Sequence, residues 1–183
     1  MKVIIFCGGL GTRLGIETKN IPKPMVLIDK IPIVERVMNS FMRYGYDEFI
    51  LATGYKSFVI EKYFKNKKKF KVKCVYTGLK TNTGGRLLKL KKYIDPNEDF
   101  FLTYGDGLSN QNLKKLFSIH KSKKKIGTIT IVRPPARFGE VLVKKNDIVS
   151  QFKEKPNVNN GWINGGFFVL NEKIFSFIRK KNE

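Results

Sequence analysis

The chain has 183 residues, 42% of them hydrophobic, enough for one domain that buries roughly 70% of its extended-chain surface on folding. No apolar run reaches the length of a membrane-spanning helix, and two cysteines, Cys7 and Cys74, lie in apolar runs as expected of buried thiols in a reducing cytoplasm, not of a disulfide scaffold. Lys and Arg outnumber Asp and Glu by 36 to 15, a net charge of +21 that favours anionic partners without separating nucleotide from nucleic acid.

In chain order, Met1 to Cys7 starts like a signal peptide, but its short apolar run passes into glycines instead of a small-residue cleavage site. It therefore reads as a first buried strand, Lys2 to Cys7. Further strands are expected at Glu48 to Thr53, Lys71 to Tyr76, Phe100 to Thr103 and Gly127 to Val132. Between them, helical spacing marks Ile33 to Arg43, Phe58 to Phe64, Arg86 to Tyr93 and Leu113 to His120. Strand-helix-strand repetition implies an α/β fold with a mainly parallel sheet covered on both sides. After residue 133 the rhythm changes to strands at Glu140 to Val143, Ile148 to Glu154 and Ile163 to Leu170. A last helix is expected from an Asn171 cap to Lys180. The lysine clusters Lys67-Lys68-Lys69 and Lys123-Lys124-Lys125 read as solvated helix ends and loops. His120, the single histidine, reads as a surface or helix-end residue and not a catalyst.

The first strand runs into Gly8-Gly9-Leu10-Gly11-Thr12-Arg13-Leu14. Glycines let backbone amides approach phosphate oxygens, consecutive N–H groups form an anion-binding concavity, and Arg13 adds a fork of donors. Neither a dinucleotide fingerprint nor a P-loop fits, because Leu14 stands where the former needs glycine and no Gly-Lys-Ser/Thr follows. Pro22 and Pro24 restrict the backbone around Lys23, which would hold its ammonium near the loop.

Together with Lys23-Pro24-Met25, this glycine segment resembles the signature of the sugar-phosphate nucleotidyltransferases, and the resemblance covers nearly the whole chain. Thr77-Gly78 with Thr81-Asn82-Thr83-Gly84-Gly85-Arg86 is similar to the nucleobase loop of the glucose-1-phosphate cytidylyltransferase branch. Thr81 can donate and accept at a pyrimidine edge and Arg86 can bond a carbonyl or phosphate; alternatively the segment is a helix start capped by Thr83. Tyr104-Gly105-Asp106-Gly107 is by itself an ordinary turn after a strand, but the resemblance places a metal-binding aspartate at Asp106. Phe138-Gly139-Glu140 and Phe152-Lys153-Glu154-Lys155-Pro156 resemble the sugar side, as does Asn164-Gly165 within Trp162 to Phe168; Phe167 and Phe168 themselves read as core.

The resemblance implies a single domain with a three-layer α/β/α, Rossmann-like, mixed but mainly parallel sheet. Residues 1–132 would mainly bind nucleotide and 133–183 mainly sugar phosphate. It implies the reaction of CTP with α-D-glucose 1-phosphate to CDP-glucose and pyrophosphate, with Mg²⁺ as cofactor. Arg13, Lys23, Asp106 and Lys155 would act on the phosphates. Gly8, Gly9, Leu10, Gly11, Thr12, Thr81, Gly85 and Arg86 would bind the nucleotide, and Gly139, Glu154, Asn164 and Gly165 the sugar. A cytoplasmic homo-oligomer is expected, with no nucleic-acid or membrane partner, since the aromatics fall in apolar runs and form no basic stacking platform. The family pattern continues past Glu183 to a second metal-binding aspartate, so the sequence is expected to be either a fragment or a C-terminally truncated form of it.

Overall fold

A computed structural model describes residues 1–9, 11, 21–134, 139–145, 147–154 and 161–178. The elements are β1 (Lys2–Phe6), β2 (Leu27–Ile28), β3 (Ile31–Pro32), α1 (Ile33–Met42), β4 (Glu48–Thr53), α2 (Ser57–Lys65) and β5 (Lys71–Tyr76). They continue with α3 (Thr83–Lys89), β6 (Asp99–Tyr104), α4 (Leu113–Lys123), β7 (Gly127–Val132), β8 (Glu140–Val143), β9 (Val149–Lys153) and β10 (Ile163–Asn171). Six strands form a mixed sheet in the order β5-β4-β1-β6-β10-β7. β1 runs parallel to β4 and β6, β4 parallel to β5, and β10 antiparallel to β6.

A parallel sheet covered by crossover helices buries both faces of its central strands, which is why β1 reads as a continuous apolar run. Val3 and Ile5 face one cluster, where α1 contributes Val34, Val37, Met38 and Phe41 and α4 contributes Leu113. Ile4 faces the other, with Ile50, Phe100, Leu102 and the α3-side residues Leu87, Leu90 and Ile94. The sheet thus forms the middle of three layers. Phe41 anchors the first cluster, edge-on to Phe101 at 5.3 Å and stacked on Phe167 at 6.0 Å.

Several details depart from the sequence pattern. α3 starts at Thr83, with Asn82 in the cap position and no side-chain cap bond, so Thr83 is not the cap; a 3₁₀ turn, Lys91–Tyr93, follows. The last helix is 3₁₀ and spans Glu172–Phe177, with the Asn171 side chain accepting from Lys173 N at 3.1 Å; a six-residue pattern does not tell i→i+3 from i→i+4 bonding. His120 is buried, not superficial: Leu113, Leu116 and His120 recur on the inner stripe of α4. Its Nδ1 lies 2.9 Å from Thr128 Oγ1 and its Nε2 3.5 Å from Asp99. Lys67 and Lys69 are not simply solvated; they approach the buried carboxylate of Glu35 at 3.4 and 3.7 Å, and Tyr63 donates to it at 2.6 Å.

The chain divides into two compact units, residues 1–128 with 166–183, and residues 129–165. In the second, β8 and β9 pair antiparallel, Val141 opposite Phe152, with an irregularity at Leu142/Val143. Both cysteines are free. Burial pushes the Cys7 thiol far above its usual range, and the half-buried Cys74 up to about 11. Among the described residues no helix is long and apolar enough to cross a membrane.

Candidate active site

In an open α/β sheet the loops beyond the strands' carboxyl ends form the ligand crevice. Here a cleft of about 570 Å³ opens there, within the first unit. Its walls are Gly8, Gly9 and Gly11 after β1, Lys23 and Pro24 before α1, Leu79 to Thr83 with Arg86 after β5, and Tyr104 and Asp106 after β6.

Lys23 and Asp106 form an ion pair, although they are far apart in the chain. Local sequence explains each half of the approach. Pro22 is extended (φ −69°, ψ 145°) and Pro24 falls in the first turn of a 3₁₀ segment, Lys23–Met25, anchored by buried Met25. Gly105 supplies the room: a Cβ there would lie 2.9 Å from Cys7 Sγ and 3.0 Å from Pro24 Cγ. Only a residue without a side chain lets the Pro24 turn close on the end of β6. Both charged groups keep about a third of their side-chain surface exposed, so they can exchange partners with a ligand. Asp106 is the one carboxylate among the described residues lining the cleft, and no cluster of three His, Cys, Asp or Glu side chains occurs among the described residues. That fits Mg²⁺, which is usually held by one or two carboxylates with water and substrate phosphates, better than a metal needing a complete protein cage.

Arg86 behaves differently. It is 6% exposed, and its terminal nitrogens donate to Thr77 Oγ1 at 2.6 Å, Gly8 O at 2.9 Å, and the carbonyls of Thr53 and Leu79 at 3.3 Å. Burial pulls its pKa below the usual guanidinium range. Thr77 Oγ1 in turn donates to Thr53 O at 2.7 Å. One step along α3, Lys89 Nζ donates to Thr77 O at 2.8 Å and to Thr81 Oγ1 at 3.3 Å, so the loop between β5 and α3 is tied back by its own helix.

The other expected residues distribute as follows. Thr81 lines the cleft; Gly85 is in the first turn of α3 and does not. Leu10, Thr12, Arg13 and Lys155 lie outside the described residues. Gly139, Glu154, Asn164 and Gly165 belong to the second unit. There Gly139 and Glu154 come together, a Cβ on Gly139 lying 3.4 Å from Glu154 Oε2 and 2.6 Å from the Phe152 ring. Gly165 packs against Thr130, where a Cβ would meet the backbone carbonyl at 3.0 Å; Asn164 is exposed. Phe167 is core and Phe168 half-buried against Tyr104. Sequence reasoning singled out Thr77-Gly78 but missed Thr53 and Gly54. The signal available was a repeated Thr-Gly pair, Thr53-Gly54 and Thr77-Gly78, where each of two neighbouring strands leaves the sheet.

Comparison with known proteins fits this arrangement. A profile described as nucleotidyl transferase matches residues 2–183. The chain belongs to that family of enzymes. The resemblance carried by Gly8 to Arg13 and by Lys23-Pro24-Met25 therefore holds along the chain. The glucose-1-phosphate cytidylyltransferase of Salmonella typhimurium is 37% identical over 97% of this nucleotidyltransferase and 78% of its own length. The D-glycero-alpha-D-manno-heptose 1-phosphate guanylyltransferase of Campylobacter jejuni is also 37% identical, over 96% and 78%. The crystal structure of HddC from Yersinia pseudotuberculosis superposes with a TM-score of 0.75 at 29% identity, covering all of this chain and 81% of that one.

Proposed function

We propose that the protein transfers the cytidylyl group of CTP to α-D-glucose 1-phosphate, giving CDP-glucose and pyrophosphate. The observation that carries the reading is the meeting of Lys23 and Asp106 in the cleft lined by Gly8, Gly9 and Gly11. A cation, a metal-holding carboxylate and a glycine turn are what a magnesium triphosphate needs.

In the proposed reaction one sugar-phosphate oxygen attacks the α-phosphorus in line. The bond from that phosphorus to the bridging oxygen breaks, and pyrophosphate leaves with the electron pair. A phosphate monoester with a second pKa of about 6 is largely dianionic at pH 7 and needs no general base. This suits a chain whose single histidine is buried beside Thr128 and Asp99. The barrier is instead repulsion between two polyanions, roughly 1 to 4 kcal/mol for each pair of charges 4 Å apart. Lys23 would leave Asp106 for the α-phosphate, and Asp106 would hold Mg²⁺, which when bound neutralises phosphate charge and aligns the leaving group. Arg13 is proposed for the triphosphate and Lys155 for the sugar phosphate, with Glu154, Asn164, Gly139 and Gly165 for the sugar. The product would feed a surface polysaccharide, made by a cytoplasmic homo-oligomer.

The choice of CTP rests on Thr81 and its loop and on the cytidylyltransferase similarity. A guanylyl, uridylyl or thymidylyl transfer to another sugar 1-phosphate is the second reading, favoured by the heptose-phosphate guanylyltransferase, which is also 37% identical over a shorter match. The test is pyrophosphate release with glucose 1-phosphate and Mg²⁺ across CTP, UTP, dTTP, GTP and ATP, with products identified by mass. CDP-glucose as the main product is expected; turnover confined to another nucleotide overturns the cytidylyl reading.

A further inference from the structure

We propose that Arg86 is a positioning residue that aims the Gly9 amide at the bound triphosphate by holding the Gly8 carbonyl, and that its own charge is not spent as a nucleotide ligand. The inference rests on the proposed nucleotidyl transfer in this cleft.

Two glycines, Gly8 and Gly54, converge on the guanidinium from the ends of the adjacent strands β1 and β4. A Cβ on Gly8 would collide with Arg86 Nη1. One on Gly54 would lie 2.6 Å from Gly8 O, 2.8 Å from Gly78 O and 2.9 Å from Arg86 Nη1. Gly78 itself has φ +100°, a conformation that side chains rarely adopt. The ends of β1 and β4 thus leave room for one planar side chain, while Gly78 shapes the turn after β5. That side chain gathers Gly8 O, Thr53 O, Thr77 Oγ1 and Leu79 O with its two terminal nitrogens. Gly8 O also accepts from Tyr55 N at 3.4 Å, so its direction is set twice.

A trans peptide plane fixes the rest. The Gly8 carbonyl and the Gly9 N–H belong to one peptide unit and point in opposite directions. Turning the carbonyl to Arg86 therefore turns the N–H away from Arg86, and Gly9 lines the cleft. The same guanidinium holds the first unit's other rim through Leu79 O, so one buried group fixes both the phosphate turn and the start of the loop carrying Thr81. Among the described residues no carboxylate forms an ion pair with Arg86, although the site is buried. A fixed planar fork suits this task; a lysine keeps the charge but presents its donors from a single nitrogen.

The test uses the full chain, its Arg86→Lys and Thr77→Val variants, calorimetric titration with CTP and Mg²⁺, and ¹⁵N spectra of the Gly9 amide. Arg86→Lys is expected to stay folded, to bind CTP about tenfold or more weakly, and to lose the nucleotide-induced shift of the Gly9 amide. Thr77→Val, which deletes one acceptor and touches no ligand, is expected to weaken binding by about two- to threefold in the same direction. A folded Arg86→Lys with near-native affinity and a normal Gly9 shift overturns the inference. Should Arg86→Lys not fold, Thr77→Val decides, and unchanged affinity with an unmoved Gly9 resonance in that variant overturns it. Failure of the unaltered chain to bind any nucleoside triphosphate refutes the functional reading itself, an outcome distinct from both.

Discussion

β1 and β9 are both strands of five residues, yet Val3, Ile4 and Ile5 of β1 are wholly buried whereas every residue of β9 is exposed. The contrast extends to the units that hold them. The first has two apolar clusters and a cleft whose walls are pinned by ladder-like bonds such as Cys7 N to Ala52 O, Gly105 N to Phe6 O and Thr77 N to Thr53 O. The second leaves Val141, Leu142, Val149 and Phe152 largely exposed. A unit of fewer than about 40 residues rarely generates a core of its own. The lesson is a division between a unit with a packed core and a preformed cleft, where backbone geometry does most of the positioning, and a second unit whose strands bury little apolar surface.

Four measurements can break or sharpen that contrast. Asp106→Ala should lower turnover in Mg²⁺ by about 10³-fold or more while leaving the unfolding midpoint nearly unchanged, since the carboxylate is partly exposed; wild-type-like pyrophosphate release would remove the metal from this cleft. Phe101→Ala, at the wholly buried centre of the first cluster, should cost about 3 to 5 kcal/mol in urea unfolding. Phe152→Ala should stay within about 1 kcal/mol in the same titration, and equal losses would erase the distinction between the units. Lys23→Met should reduce turnover by about 10²-fold, less than Asp106→Ala, since the proposed site shares the phosphate charge among several cations.

The smallest effect is a pH dependence. Burial acts to raise the Glu35 pKa, but the Tyr63 hydroxyl and the Lys67 and Lys69 ammonium groups outweigh it and hold the carboxyl below its usual range. A depressed native pKa adds stability above the unfolded value of about 4.3, and that stability is lost as pH falls through the native value. Glu35→Gln should therefore be less stable than the parent at neutral pH, by about 1 kcal/mol, with the gap closing in acid. A gap that persists unchanged at low pH would place the effect in packing instead of charge.

Much of the first unit was legible in the sequence. Apolar runs marked β1, β4 and β6 because strands covered on both faces need them, the edge strand β5 showed as a run rich in β-branched residues, and helical spacing marked α1, α2 and α4. The glycine turn after β1 and the role of Pro22 and Pro24 around Lys23 were readable because backbone restriction is local. The Lys23–Asp106 contact was not, since it depends on Pro24 closing over Gly105, a fit between distant segments that no local pattern records. Arg86 beside paired glycines read as a nucleotide-binding residue; its bonds to groups at the ends of β1, β4 and β5 were not readable, because only the register of the sheet brings those ends together. Glu35 and His120 were legible in principle, being polar residues on the buried stripes of α1 and α4. A polar residue on an apolar stripe signals a buried partner, but not which partner.

The central claim is that the cleft transfers a nucleotidyl group and is not merely a nucleotide-binding module. It is tested most directly with CTP labelled at the γ-phosphorus, incubated with the chain and Mg²⁺ before and after addition of glucose 1-phosphate. The account predicts that label appears as pyrophosphate only after the sugar phosphate is added, in step with CDP-glucose. Label released as inorganic phosphate, or released equally without the sugar phosphate, would contradict it.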